Sequence, residues 1–280
     1  MSGAPAAGRR PLVMGVVNVT PDSFSDGGLL VGAEGAVAHA LALDRAGADI
    51  LDIGGESTRP GARPVSAEEE AGRILPVIRL LRPLTHRRIS VDTCKPDVAR
   101  AAVEAGADIW NDVTALGAPG AADLAAELAC DVVLMHMQGE PRTMQAAPRY
   151  EDVLAEVCDF LEARARAALD AGVARERIWL DPGIGFGKTL AHNLALLAGL
   201  GRIVALGFPV LLGASRKRFI AAVGAGGELA SDRLGGSLAA ALAGARAGVA
   251  AVRVHDVAQT LQALEVQAAI AAGAGFSPGR

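Results

Sequence analysis

Several short segments combine residue types whose chemistry and spacing narrow what this chain does. The stretch Asp181-Pro182-Gly183-Ile184-Gly185-Phe186-Gly187-Lys188-Thr189 ends like a phosphate-binding loop but fails its spacing. That loop needs Gly five positions before Gly187, where Pro182 stands, and a dinucleotide fingerprint needs a third Gly where Lys188 stands. What remains is a carboxylate followed by a turn carrying Phe186. One carboxylate accepts two parallel N–H donors, so Asp181 suits the amidine-like edge of a heterocycle. Arg253-Val254-His255 places two donors on one side of an extended chain, both suited to phosphate oxygens. Ser215-Arg216-Lys217-Arg218 gathers three cations beside an expected helix start, a place for an anion or a carbonyl, with Arg216 read as a solvated basic residue. Two Gly/Pro-bounded stretches, from Asn18 to Gly28 and from Gly54 to Gly61, are far longer than the ~2–6 residues of an ordinary strand-to-helix turn. They read as mobile covers over a substrate. Phe24 in the first is a ring for packing on closure, and the second offers Thr58 and Arg59. His136 sits where it can line a pocket. His39, His86 and His192 have no partner at metal spacing and read as structural. Cys94 has no histidine organised as its base, which argues against a cysteine nucleophile.

These residues need elements to hold them. Eight strand-like runs alternate with longer amphipathic stretches: Leu12–Val17, Ile50–Ile53, Ile89–Val91, Asp108–Trp110, Val132–Met135, Ile178–Leu180, Val210–Leu212 and Ala251–Val254. That alternation predicts parallel strands with crossover helices, as a closed (β/α)8 barrel in preference to an open doubly wound sheet. Polar residues follow each run: Asn18; Asp52 with Glu56 to Arg59; Asp92; Asn111 and Asp112; His136; Asp181; Ser215 to Arg218; and Arg253, His255 and Asp256. For any one of them, capping the next helix is an equally good reading. In a barrel all converge on the carboxyl-terminal face, where such folds place their chemistry. Ser66 with Glu69 predicts a capping box, and Pro96 a first helical turn.

The bulk properties agree. A length of 280 residues suits one barrel domain of about 250, expected over 11–273 with disordered tails at 1–10 and 274–280. Hydrophobic residues are 51% and aromatics 3%, so the core must be built from Ala, Val, Leu and Ile. A net charge of −4 with no long basic run argues against nucleic acid as a partner. Three cysteines, Cys94, Cys130 and Cys158, form neither an even disulfide set nor a CxxC pair, which fits a reducing cytoplasm. The polar start, ending in Arg9-Arg10, lacks an apolar stretch of signal-peptide or membrane-spanning length.

Taken together the segments resemble the dihydropteroate synthases. The matching stretches are MGVVNVTPDSFSDGG (Met14 to Gly28), DIGGESTRPGA (Asp52 to Ala62), SVDT (Ser90–Thr93), NDV (Asn111–Val113), LMHMQGEPRTMQ (Leu134 to Gln145), DPGIGFGKT (Asp181–Thr189), GASRKRF (Gly213–Phe219) and RVHDV (Arg253–Val257). They span about 250 positions in family order, a far more specific match than any single motif. The resemblance implies that Asp92, Asn111 and Asp181 hold a pterin ring while Lys217 reaches its carbonyl side. It implies that Asn18 ligates Mg²⁺ and that this ion, Thr58, Arg253 and His255 grip the diphosphate. It places 4-aminobenzoate among Phe24, Thr58, Arg59, Pro60 and Phe186, its carboxylate toward Lys217 and Arg218. Homodimers and competitive inhibition by sulfonamides also follow from it. Arg218 stands where some members carry Ser, Glu140 where Thr is frequent, and 224–236 matches only loosely.

The implied reaction condenses (7,8-dihydropterin-6-yl)methyl diphosphate with 4-aminobenzoate by an SN1-like route. A neutral aryl amine needs no strong general base, which accounts for the lack of a nucleophile–base dyad. Asp92, and Asp26 from the first long stretch, are the candidates for stabilising the pterin-methyl cation, and Lys217 completes the catalytic set. Two other readings remain open at this stage: a pterin-dependent methyltransferase, which would not need Arg253 and His255 for a diphosphate, and a catalytically silent pterin-binding paralogue.

Overall fold

The computed structural model describes residues 10–19, 28–57, 63–140, 143–224 and 227–273, with side chains from residue 32 in the first helix. Both expected tails lie almost wholly outside these residues, as do most of the first long stretch read as a cover and half of the second. Among the described residues eight strands are present: β1 Leu12–Asn18, β2 Ile50–Gly54, β3 Arg88–Asp92, β4 Ile109–Asp112, β5 Asp131–Met135, β6 Ile178–Asp181, β7 Leu211–Leu212 and β8 Ala251–Val254. All pair in parallel in the order β6-β5-β4-β3-β2-β1-β8-β7. A bridge from Leu180 to Val210 joins the two end strands, so the sheet closes into the expected (β/α)8 barrel. Val210 belongs to this bridge and not to the ladder, which leaves β7 shorter than the sequence suggests.

The strand pleat sorts the side chains. Alternate residues face opposite sides of the sheet, and two apolar clusters result. Met14, Ile50, Ile109, Val133, Trp179, Leu211 and Ala251 pack inside the barrel as its floor. Their neighbours Val13, Leu51, Ile89, Trp110, Val132, Leu180 and Val252 pack outward against the helices. Moving two residues along a strand from the floor gives the next inward position: Asp52 after Ile50, Asn111 after Ile109, Asp181 after Trp179, Arg253 after Ala251. An apolar floor therefore carries a polar rim by period alone.

Among the described residues ten α-helices cover the barrel, beginning with α1 Gly28–Arg45, α2 Ala67–Leu81, α3 Pro96–Glu104 and α4 Ala121–Leu128. The series continues with α5 Val153–Asp170, α6 Leu190–Ala198, α7 Leu200–Val204, α8 Arg218–Val223, α9 Leu234–Ala247 and α10 Val257–Ala272. In α2 the buried Glu70, Ile74, Val77, Ile78 and Leu81 recur at helical spacing, the stripe of an amphipathic helix. Ser66 caps it by accepting from the Glu69 N–H at 3.1 Å, but the Glu69 carboxylate turns to Arg73 at 2.5 Å. Only the Ser66 half of the expected capping box is seen, because an i,i+4 guanidinium competes for that carboxylate. The full reciprocal box lies at α6, between Thr189 and His192, which gives His192 a structural role. Pro96 opens α3 as its spacing predicts. In the loosely matching region, a 3-10 turn Ala230–Arg233 leads into α9, whose first turn includes Gly235 and Gly236.

Around Ile109 the floor is packed from apolar side chains, so a lost one leaves a cavity. Ile109→Ala, at a residue 1% exposed, should cost about 2–5 kcal/mol by removing transfer energy and leaving a cavity. A urea titration checks this. An unchanged midpoint would mean that the interior is not packed as described.

Candidate active site

The rim is organised around one guanidinium. Arg253, from β8, donates through Nε to Asp52 Oδ2 at 2.6 Å and through Nη2 to Asp92 Oδ2 at 2.7 Å. Asn111 Nδ2 approaches the other Asp52 oxygen at 3.5 Å. Asp52 is fully buried, and Asn111 and Asp181 nearly so. Burial pushes the Asp92 carboxyl up to about 7; Asp52, Glu70 and Asp112 add to the shift and Arg253 opposes it. Burial works against the Arg253 charge, but Asp52 and Asp92 outweigh it and hold the guanidinium above its ordinary range.

Asp181 and Lys217 form the opposite side. Asp181 Oδ1 accepts from the Gly183 N–H at 2.7 Å, and burial raises this carboxyl while Lys217 and Arg253 pull it down. Lys217, the residue that caps α8, turns inward, donates to the Ile184 carbonyl and lies 4.5 Å from the centroid of Phe186. Burial lowers it to about 8, against the charges of Asp181 and Asp92. A methyl placed on Gly213 would meet Asp181 Oδ2 at 3.7 Å, Lys217 Nζ at 4.0 Å and Arg253 Cβ at 4.0 Å. These three side chains therefore surround one point, and the glycine leaves it open.

The remaining expectations separate. His255 shares a hydrogen with Ser215 at 3.0 Å through Nδ1. Arg218 is exposed on the first turn of α8. Arg216 is not a solvated basic residue: it holds Asp256 at 2.6 and 3.0 Å and adopts φ 57°, tying the turn after β7 to the end of β8. His136 is 6% exposed and does not line an open pocket. It packs edge-on against Phe160 with centroids 4.9 Å apart and meets Lys188 Nζ at 2.9 Å. Phe24, Asp26, Thr58, Arg59 and Pro60 lie outside the described residues. The three cysteines are free, and burial pushes the Cys94 thiol up to about 11, the opposite of what a nucleophile needs.

The sequence placed Asp52 and Asp112 at the barrel mouth without giving them a role, and it missed Lys95. Asp52 anchors Arg253, and the period-two step from Ile50 could have singled it out. Lys95, from the turn before α3, bridges Glu56 and the buried Glu70 at 2.5 Å each, where the second strand-to-helix connection leaves the barrel. Asp112 accepts from Thr114 and Leu116 and so holds the turn at Ala115 and Leu116, both with positive φ, directly after Asn111. The Lys95 contacts join distant segments and left no local signal, whereas those of Asp112 reach only two and four residues along the chain.

A buried set of carboxylates and amide beside two cations, at the carboxyl-terminal mouth of a barrel, defines a site for a flat, hydrogen-bonding heterocycle with an anionic group. The chain matches the family described as pterin binding enzyme over residues 14–255. It is 49% identical over 256 residues to the dihydropteroate synthase of Escherichia coli strain K12, covering 91% of this chain and 90% of that protein. Among solved structures, Xanthomonas albilineans dihydropteroate synthase with 4-aminobenzoic acid superposes with a TM-score of 0.89 at 55% identity, covering 95% of each chain. The same enzyme in complex with 7,8-dihydropteroate gives 0.86 at 51% identity over 96% of each. The chain belongs to the dihydropteroate synthase family.

The crowding of acids has a cost that depends on pH. A carboxyl whose folded pKa lies above its unfolded value binds protons more readily when folded, so it lowers stability as pH rises between the two values. For Asp92 that window runs from the ordinary carboxylate range up to about 7. Ligand-free Asp92→Asn should therefore melt higher than wild type at pH 8, by roughly 2–4 °C per kcal/mol relieved. The gap should close by pH 4. A gap independent of pH would show that Asp92 carries no such penalty.

Proposed function

We propose that the rim joins (7,8-dihydropterin-6-yl)methyl diphosphate to 4-aminobenzoate, giving 7,8-dihydropteroate and diphosphate. The observation that carries this is the convergence of Asp181, Lys217 and Arg253 around the open point at Gly213, with Asp92 and Asn111 beside them in a chain of this family. Asp181 accepts the paired N–H groups of the pterin's amidine edge, and Asn111 and Asp92 meet further ring groups. Lys217 donates to the ring carbonyl. The C–O bond to the diphosphate breaks with its electron pair, leaving a methyl cation conjugated with the electron-rich ring. Asp92 stabilises that charge, with Asp26 as the second acid assigned to it. The amine lone pair of 4-aminobenzoate then forms the C–N bond and the nitrogen loses its proton.

Arg253 and His255 bind the departing diphosphate together with Thr58. Among the described residues no group of three or more His, Cys, Asp or Glu could hold a metal, whereas the exposed Asn18 amide at the end of β1 is a hard oxygen donor. That donor set fits Mg²⁺, which accepts a sparse protein shell completed by phosphate oxygens and water. When bound, the ion would neutralise charge on the leaving group. Phe24, Thr58, Arg59, Pro60 and Phe186 are the proposed walls for the aminobenzoate ring, with Lys217 and Arg218 toward its carboxylate. A sulfonamide shares the aryl amine and an acidic group at the far end, so it competes for the same walls. No described helix is long and apolar enough to cross a membrane, and the free cysteines support a cytoplasmic location. Exposed Leu190 and Leu194 on α6 and Val223 on α8 support a homodimer, which sedimentation would test.

Incubating the protein with both substrates and Mg²⁺ should give dihydropteroate and diphosphate in equal amounts, falling sharply when Mg²⁺ is chelated. Pterin binding without product would instead identify a silent paralogue. Asp181→Asn replaces an acceptor by a donor and should weaken pterin binding at least tenfold, consistent with ~1.5–3 kcal/mol for a charged hydrogen bond. Calorimetry showing unchanged pterin affinity would remove Asp181 from the site.

A further inference from the structure

The turn between β6 and α6 has no ladder to hold it, yet every carbonyl from Gly183 to Gly187 is occupied. Gln145 Nε2 donates to Gly185 O at 2.5 Å and Tyr150 Oη to Gly187 O at 2.9 Å, while Lys217 takes Ile184 O. Lys188 takes the other two from beneath, with Nζ 2.9 Å from both Gly183 O and Phe186 O. Its third partner at 2.9 Å is His136 Nδ1, beyond the end of β5. Lys188 is 3% exposed, and none of these three partners is a carboxylate. An ammonium has three N–H donors, and three acceptors lie at 2.9 Å from it, with the His136 carbonyl further off at 3.4 Å. The backbone agrees with this arrangement. Gly183 has φ 63°, and a Cβ there would lie 1.9 Å from the His136 carbonyl, so the turn is pressed directly onto the end of β5.

We propose that Lys188 is a positioning residue for substrate binding: its buried ammonium fastens the turn that carries Phe186, and that follows Asp181, to His136. Lys188 does not touch substrate. It fixes the aromatic wall on one side and, through Gly183, the N–H that orients the Asp181 carboxylate. His136 serves as the acceptor, which requires its proton to sit on Nε2. Burial and the Lys188 charge together drive the His136 imidazolium down to about 3, so the ring is neutral in the working range. Burial, then the charge of Lys217, lowers Lys188 itself to about 7, while Asp181 opposes the shift.

This role rests on the function proposed above, and the two are separable. Wild-type protein that makes no dihydropteroate would sink the function, whereas an altered variant of an active wild type speaks to Lys188 alone. Lys188→Met should raise KM for the pterin substrate and for 4-aminobenzoate by about tenfold while changing kcat much less, the pattern of lost binding shared by ground and transition states. Amide hydrogen exchange should quicken at 183–187 and not across the barrel floor. His136→Asn keeps an acceptor near the Nδ1 position and should retain near-native KM values, whereas His136→Leu should behave like Lys188→Met. The two His136 variants decide the matter if Lys188→Met does not fold. Nitrogen NMR of the wild type should find His136 neutral and protonated on Nε2 between pH 5 and 8. Unchanged KM values and exchange in Lys188→Met, equal behaviour of the two His136 variants, or a His136 proton on Nδ1 would each overturn the assignment.

Discussion

The pairing of Arg253 with Asp52 and Asp92 is the interaction on which the rim depends. Ionised carboxylates are costly to bury unless a cation and hydrogen bonds compensate them. The rim places Asp52, Asp92, Asp112 and Asp181 close together in largely buried positions. A single planar guanidinium meets two of these acids at once through fixed N–H vectors, which a lysine's point charge does not reproduce. Asp112 is satisfied separately by its own turn, and Asp181 by the Gly183 N–H and the nearby Lys217.

The same pairing bears on binding. Arg253 is held by Asp92, so under the proposed function a diphosphate and Asp92 would draw on one cation. Asp52, fully buried on the Nε side, can hold the arginine in place while its outer nitrogens serve either partner. An acid raised to about 7 is suited to that exchange, since its proton affinity is already close to neutrality. Arg253, Asp52 and Asp92 thus orient one another, as electrostatic preorganisation requires.

Beneath it, the barrel supplies rigidity of two kinds. The floor of Met14, Ile50, Ile109, Val133, Trp179 and Leu211 fixes strand positions through packing. The turn after β6 is fixed by side-chain donors to each carbonyl from Gly183 to Gly187, because its glycines depart from strand and helix geometry. Strand ends can carry side chains with precision, whereas turns need such outside support.

Much of this was determined by the residues in their order. The alternation of strand-like and amphipathic runs set eight parallel strands, and polar residues just beyond each apolar run marked the mouth. The period of two makes Asp181, Asn111 and Arg253 inward neighbours of floor residues. Local patterns register such features because they arise from neighbours along the chain. Other features were decided only by tertiary contact. The contact of Arg253 with Asp52 spans 201 positions and that of Lys188 with His136 spans 52. Arg216 found Asp256 instead of solvent, and His136 became buried instead of lining a pocket. Each of these groups had more than one possible partner, and closure of the barrel chose among them by bringing one within hydrogen-bonding distance and removing water from the others.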